Sequence, residues 1–271
     1  MRRYLRLLRA SLRLSLLLAM QYRWDFIGHG LMQLVWTSLG VLPLWIAYQA
    51  RAAAGLSALG GYSFPQALTV FGFFTLLKAL LDGAINPSLT AVVEHIRTGT
   101  LDFILLKPAD AQFLVSTARQ EPWRIIDAAT GIGFVVFGMA GHIHQGGAPP
   151  GLGALLGAGL LLLCAMLLLY SIWILVICAA FYVVRIDNLS FLFTSLFDFA
   201  RWPRSVFRGA LHVLFTFVVP LVLMTSYPAE ALLGLLRPPQ LLLAVVWTGL
   251  LLCLCRLAWR RSLAAYTSAS S

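Results

Sequence analysis

Six long apolar runs, near residues 26–48, 65–90, 125–141, 152–183, 211–226 and 240–258, alternate with short polar or arginine-bearing stretches. An α-helix rises 1.5 Å per residue, so about 20 apolar residues cross a bilayer core, and five of the six runs meet that length outright. The run at 211–226 is shorter. The pattern predicts an all-α integral membrane protein of six transmembrane helices, folded as a single domain over 1–271.

Ahead of the first run, Arg2, Arg6, Arg9 and Arg13 recur at spacings of four, three and four, which is one narrow stripe of a helix; Tyr4, Leu7, Leu8, Leu12, Leu14 and Leu18 cover the remainder. A helix of this kind lies in the headgroup layer with its arginines toward anionic lipid, so 1–22 is expected to be an interfacial amphipathic helix. A cleaved leader is the competing reading, but no small-x-small site follows "LSLLLAM", only "QYRWDF". Trp24 and Trp36 suit an aromatic belt.

Composition agrees: 60% of the 271 residues are hydrophobic and 11% charged, the mean hydropathy is +0.86, and average soluble domains carry about 25% charge. The excess of 20 Lys and Arg over 10 Asp and Glu is unevenly placed. With six spans, seventeen of the cations fall on one side, and only Arg51 and Arg237 on the other. Cytoplasmic segments retain Lys and Arg, so both termini are expected in the cytoplasm, in the inner (cytoplasmic) membrane, and nucleic acid is not an expected partner. The even span count also retains the short fifth run, because omitting it would put Arg256, Arg260 and Arg261 outside.

The outer connections are too short to fold separately. His142 and His144 lack a nearby third ligand, and Cys164, Cys178, Cys253 and Cys255 lie in apolar runs, the last two pointing to different helix faces; no metal site is expected. Gly153 and Gly157 form a small-xxx-small pair whose ordinary meaning is helix contact. The stretch "VRIDNLSFLFTSLFDFARWPRSVFR" has a 12-residue apolar centre, too short to cross as a helix, and is expected along the cytoplasmic interface or as an extension of a neighbouring helix. Pro220 and Pro228 break the fifth run, and 227–238, "YPAEALLGLLRP", is a candidate re-entrant element.

Neither Lys78 nor Lys107 follows a glycine-rich loop, and the H-E-x-x-H and G-x-S-x-G patterns are absent, so the chain has no Walker A site, no catalytic residues and no cofactor of its own are expected. Lys78 and Asp82, four apart in the second span, are expected to meet as a neutralising intramembrane pair; a polar contact for cargo or a proton-coupled carboxylate are the alternatives. Asp127 lies near a helix end.

Residues 92–124 interrupt this apolar chain with Glu94, His95, Arg97, Asp102, Lys107 and Asp110. Thr100 is expected to cap a helix from Leu101 to Lys107, with acid first, base last and Pro108 as its stop. Leu101, Ile104 and Leu105 would share its apolar face. A second short helix is expected over 110–120. Two firmly terminated helices on the cytoplasmic side read as a docking element.

Here the sequence resembles a known family. "HIRTGTLDFILLKPADAQF", "FDFARWPRSVF", "VVPLVLMTSYPAEALLG" and the arginine-rich first helix are similar to type 2 ABC transporter permeases, in the bacterial branch that pairs with a separate ATPase subunit. The likeness covers nearly the whole chain and rests on I-x-x-G-x-L-D-x-x-L-x-K-P. It implies six helices, an interfacial N-terminal helix, a cytoplasmic coupling helix and a re-entrant element before the last helix. It assigns Glu94, Arg97, Gly99, Leu101, Asp102, Leu105, Lys107 and Pro108 to ATPase coupling, and Tyr227, Pro228, Ala229 and Glu230 to the re-entrant turn. "ARWP" departs from the Tyr common before Pro in the family. The resemblance further implies an ABC ATPase subunit carrying ATP and Mg, a second permease, identical or sister, and export of an amphipathic or lipid-like cargo through membrane lipid. An ion-coupled secondary transporter and a membrane anchor or assembly protein are the competing function classes; the first would show inverted repeats, and no convincing one is present.

Overall fold

The structure, a computed structural model, describes residues 2–21, 23–56, 58–181 and 187–266. Arg185, counted above among the basic residues, lies outside them. The helices in order are α1 (Arg2–Gln21), α2 (Arg23–Leu39), α3 (Leu42–Ala53), α4 (Phe64–Leu80), α5 (Asn86–Arg97), α6 (Asp102–Leu105), α7 (Ala111–Ser116), α8 (Ile125–His144), α9 (Leu152–Ala180), α10 (Asp187–Phe197), α11 (Ala210–Val213), α12 (Leu221–Leu232) and α13 (Pro238–Ala265). Phe26–Ala53, Phe64–Arg97, Pro122–His144, Leu152–Ala179 and Pro238–Ala265 are long and apolar enough to cross a membrane. The chain is a multi-pass membrane protein.

Two ends of the bundle follow from chain direction. Residues 97–124 and the C-terminal part of α13 occupy what we call the loop end; 54–56, 58–63, 145–151 and 233–237 occupy the far end. α1 packs at the loop end, where Ser11 Oγ donates to the Thr117 carbonyl (2.5 Å) and Tyr4 stands edge-on to Phe113. Its Arg6, Arg9 and Arg13 are exposed, as are Leu12, Leu14 and Leu18.

The centre is made by α4, α9 and α12, and every residue of α12 is buried. The apolar windows of Phe26–Ala53 and Pro238–Ala265 are only 11% and 17% buried, so most of their apolar surface lies outside the chain's own core. Glycine decides how closely α4 and α8 approach. A Cβ on Gly131 would stand 2.9 Å from the Leu76 nitrogen, and one on Gly138 would stand 2.7 Å from the Pro65 carbonyl. The Gly153 and Gly157 pair does not serve this purpose. Nothing lies within 4 Å of a Cβ at Gly153, and Gly157 meets only Ala231 at 4.0 Å.

Proline sets the second span. Pro87, near the start of α5, has no N–H to offer the Gly83 carbonyl four residues back. The ladder widens into a π-helical turn over Leu81–Ile85, and the Glu121 N–H takes the Gly83 carbonyl at 2.7 Å. Ser88 Oγ adds a second tie, donating to the Arg119 carbonyl at 2.5 Å. The loop before α8 is thereby fastened to the bend that carries Asp82.

The fifth crossing differs from the sequence expectation. α10 starts six residues after Phe181, which packs on Trp259 and Tyr266 near the end of α13. From there Phe193 meets Trp173, Phe197 meets Phe74, and Asp198 reaches Lys78. Ser205 Oγ then reaches the Leu59 carbonyl at the far end (3.4 Å). Residues 187–206 therefore climb the height of the bundle and do not lie along one interface. Arg204 pairs with Glu230 at 2.7 Å, so the intervening stretch begins and ends at the far end. That stretch, with Ala210–Val218 and Leu221–Leu232 bent by 86°, is a hairpin whose break is at Val219 and Pro220. Tyr227, Pro228, Ala229 and Glu230 are not its turn: they lie inside α12, buried, and 227–238 contains the hairpin's end and the entry to α13. The charge split also narrows, because Arg204 sits at the far end and Arg201 lies at mid-height.

Candidate functional site

Three clusters gather the polar chemistry. The first replaces the expected isolated pair. Lys78 Nζ lies 3.7 Å from Asp82 Oδ2, but closer, 3.2 Å, to Asp198 Oδ1, which Arg201 also approaches at 3.6 Å. Arg124 links Asp82 (3.9 Å), Glu121 (3.5 Å) and Asp127 (3.3 Å), and Thr37 Oγ1 donates to Asp127 Oδ1 at 2.8 Å. The network has three cations and four carboxylates. It brings α2, α4, the π turn, α8 and the turn after α10 together. At 1.5 Å per residue, Lys78 lies roughly 21 Å and Asp82 roughly 27 Å from the start of α4, so the network runs from mid-depth toward the loop end.

The second cluster lies at the far end. The Glu230 side chain is fully buried, its Oε1 bonded to Arg204 Nε and accepting from the Tyr62 hydroxyl. Burial, followed by the nearby Glu230 charge, pushes the Tyr62 hydroxyl well above the usual phenol range. The guanidinium of Arg204 also faces the Tyr227 ring at 5.9 Å. This cluster fastens the hairpin to the loop before α4.

The third cluster holds the predicted coupling region. Arg97 pairs with Glu94 at 3.8 Å, both exposed. Gly99 takes the left-handed φ of 71° that turns the chain. Thr100 does not cap a helix; its Oγ1 bonds His95 Nδ1 (2.7 Å), and the helix is only Asp102–Leu105 with Leu101 at its N-cap. Leu101 is fully buried in the core, so it anchors the segment and offers no surface to a partner. The exposed apolar side chains are Phe103 (69%), Leu106 (80%) and Leu105 (38%), next to exposed Lys107 and Pro108. Burial and the neighbouring Asp102 raise the Tyr266 hydroxyl, placing Asp102 beside the end of α13.

The expected second helix is likewise shorter, Ala111–Ser116, capped by Asp110 accepting from the Phe113 N–H at 3.1 Å. The same carboxylate grips Arg256 of α13 through both oxygens (2.5 and 3.3 Å), and Arg256 donates to Gln112 Oε1 at 2.7 Å. Hydrogen bonding to Arg256 holds the Asp110 carboxyl below its usual range. A lowered native pKa contributes stability that is complete above the unfolded carboxylate value of about 4 and is withdrawn as pH falls through the native one. Hydrogen-exchange protection of 111–116, corrected for intrinsic rates, should therefore be flat from neutral pH down to about 5 and fall only in stronger acid. Asp110→Asn should lower it at neutral pH.

Sequence reasoning missed Asp198, Arg201, Arg204 and Arg256 as partners. Their signal was an isolated charge within apolar surroundings, as in "CLCRLAW", which demands a mate without saying where it is.

Among the described residues, a helical bundle with charge networks at membrane depth and an anchored apolar projection at one end is the architecture of a multi-pass membrane protein. Residues 34–270 match the family described as ABC-2 family transporter protein, and the chain belongs to that family, which generally works with an ATPase subunit. Among curated proteins and among solved structures, nothing matches the chain.

Proposed function

We propose that the chain is the permease subunit of an ATP-driven exporter, that 94–108 docks on a separate ABC ATPase carrying ATP and Mg, and that a second permease completes the pathway for an amphipathic or lipid-like cargo. The observation that carries this reading is the projection of Phe103, Leu105 and Leu106 from a segment whose Leu101 is sunk in the core. Exposed aromatic and aliphatic groups flanked by Glu94, Arg97, Asp102 and Lys107 have the anatomy of a protein-contact patch. The anchoring of α7 to α13 and of the 119–121 loop to the π turn supports transmission of a push on that patch into the spans. The test is co-expression with ABC ATPases of the same genome, joint purification and an ATPase assay in lipid; a chain that recruits none of them is an anchor or assembly protein instead.

In this reading both termini and 92–124 face the cytoplasm of an inner-membrane protein, and the hairpin 210–232 re-enters the bilayer from outside. Basic residues remain more numerous at the loop end, which supports that orientation. In a chain freed of its four cysteines, single cysteines replacing Ala53 and Gln145 should label from outside, and one replacing Ala109 should not. Outside labelling at Ala109 reverses the orientation.

A further inference from the structure

Beside the charge network, a cavity of about 190 Å³ opens between α2, α4, α8 and the 198–201 turn, with Trp36, Phe74, Lys78, Asp127, Asp198 and Arg201 among its walls. We propose that this cavity binds the headgroup of a zwitterionic amphiphile, one joining a phosphate-like anion to an amine, whose tail stays in the bilayer beyond Trp36. As a cargo site it rests on the permease reading above; as a lipid-binding site it stands by itself.

Three observations carry the proposal. The first is exposure at depth. The side chains of Lys78, Asp198 and Arg201 remain 24%, 38% and 30% exposed, whereas Asp127 is closed off at 3%. Charges at mid-membrane depth are costly and mark pathways or binding sites when they line an open space. The space itself far exceeds the roughly 10–15 Å³ that a single water needs on the same measure and suits a headgroup.

The second is the presence of both signs on one wall. Lys78 and Arg201 bracket the Asp198 carboxylate; Lys78 also reaches Asp82 and Arg201 Nε donates to the Asp198 carbonyl, and together the two cations keep N–H donors beyond those contacts. A phosphate-like group is the ligand for such spare donors. A purely anionic head would nevertheless face Asp198, with Asp127 just behind the wall, in a network that already carries one carboxylate more than its cations. A purely cationic head would face Lys78 and Arg201. A head of two signs satisfies both the cations and the carboxylate of that wall as it gives up its water.

The third is the rim. Trp36 is 64% exposed and borders the cavity on α2, where Val35 and Leu39 also face outward. An indole at the mouth gives an ammonium a cation–π surface, and the apolar exterior of α2 leaves the tail in lipid. Arg201 already lies over the Phe74 ring at 5.6 Å, so the inner wall uses the same pairing of cation and aromatic.

The experiment uses the full chain in neutral detergent and three amphiphiles sharing one brominated dodecyl tail, with phosphocholine, sulfate or trimethylammonium heads. Quenching of tryptophan, compared between wild type and Trp36→Phe, isolates the signal at the rim. The phosphocholine probe should bind at least about tenfold more tightly than the other two. Lys78→Gln and Arg201→Gln should each weaken it by about tenfold. Because those two substitutions disturb the network, Gln33→Ala, at a half-buried cavity position outside the ion pairs, supplies a variant expected to fold normally and to weaken binding several-fold. Equal binding of the three heads, or wild-type affinity in a folded Lys78→Gln chain, overturns the proposal. If that outcome accompanies intact ATPase-dependent transport, the permease reading survives without this site. Head-selective binding by a chain that recruits no ATPase leaves the site and removes the permease reading.

Discussion

Arg124→Gln is expected to be among the most damaging single substitutions in the chain, costing about 3–5 kcal/mol because it strands the buried Asp127 carboxylate and leaves the half-buried Asp82 and Glu121 without this cation. Arg124 is the cation shared by Asp82, Glu121 and Asp127, and Asp127 keeps only 3% of its side chain exposed. Arg124→Lys should recover only part of the loss, since a single ammonium cannot serve three acids set around a planar guanidinium. The network also predicts an asymmetry that a self-contained Lys78 and Asp82 pair would not show. With four carboxylates against three cations, Asp82→Leu brings the charges into balance, whereas Lys78→Met widens the excess. Asp82→Leu should therefore be the milder change, and the double variant should not be gentler than Asp82→Leu alone. Melting midpoints and the yield of monodisperse protein in detergent rank these variants; equal losses from Lys78→Met and Asp82→Leu would restore the isolated pair.

Phe103→Ser with Leu106→Ser is expected to leave the fold intact and abolish assembly with the ATPase. If docking buries both side chains, removing them forfeits roughly 1.5–3 kcal/mol each, which is at least about a hundredfold in affinity for the pair. Leu101→Ser should do the opposite, destabilising the permease by about 2–5 kcal/mol, because its side chain is wholly buried in the chain's own core. Co-purification and thermal melting separate the two. If the Phe103 and Leu106 double variant still recruits the ATPase at wild-type affinity, the projection is an ordinary interfacial loop.

These contrasts show where the sequence could be read and where it could not. The long runs and the arginine stripe of α1 were legible because hydrophobic length and helical period are local properties. Leu101 was misplaced on a partner-facing surface because an apolar face was drawn over seven residues, while the helix has four and begins after it. The crossing by 187–206 was invisible for a geometric reason. Twelve apolar residues are too few at 1.5 Å each, but residues 198–206 continue as 3₁₀ turns and extended chain, which rise about 2–3.3 Å per residue. Backbone of that kind is tolerated at depth only where protein wraps it, and here α12 does so, with the Thr225 hydroxyl bonding the Ala200 carbonyl at 2.9 Å. The pairing of Arg204 with Glu230 joins residues distant in sequence and leaves no periodic trace.

The carbonyl that Pro87 releases has a mechanical meaning. Since the Glu121 N–H occupies the Gly83 carbonyl, the second and third spans share a stitch at the bend, and a displacement of α5 must either drag the start of α8 along or tear that stitch. Phe64–Arg97 is thus a jointed strut whose elbow is held by its neighbour. Pro87→Ala would return the carbonyl to its own helix and leave the elbow held to the α8 side only by the Ser88 tie to Arg119 and the Arg124–Asp82 pair, so that a push on the loop end would reach the charges above it through side chains alone.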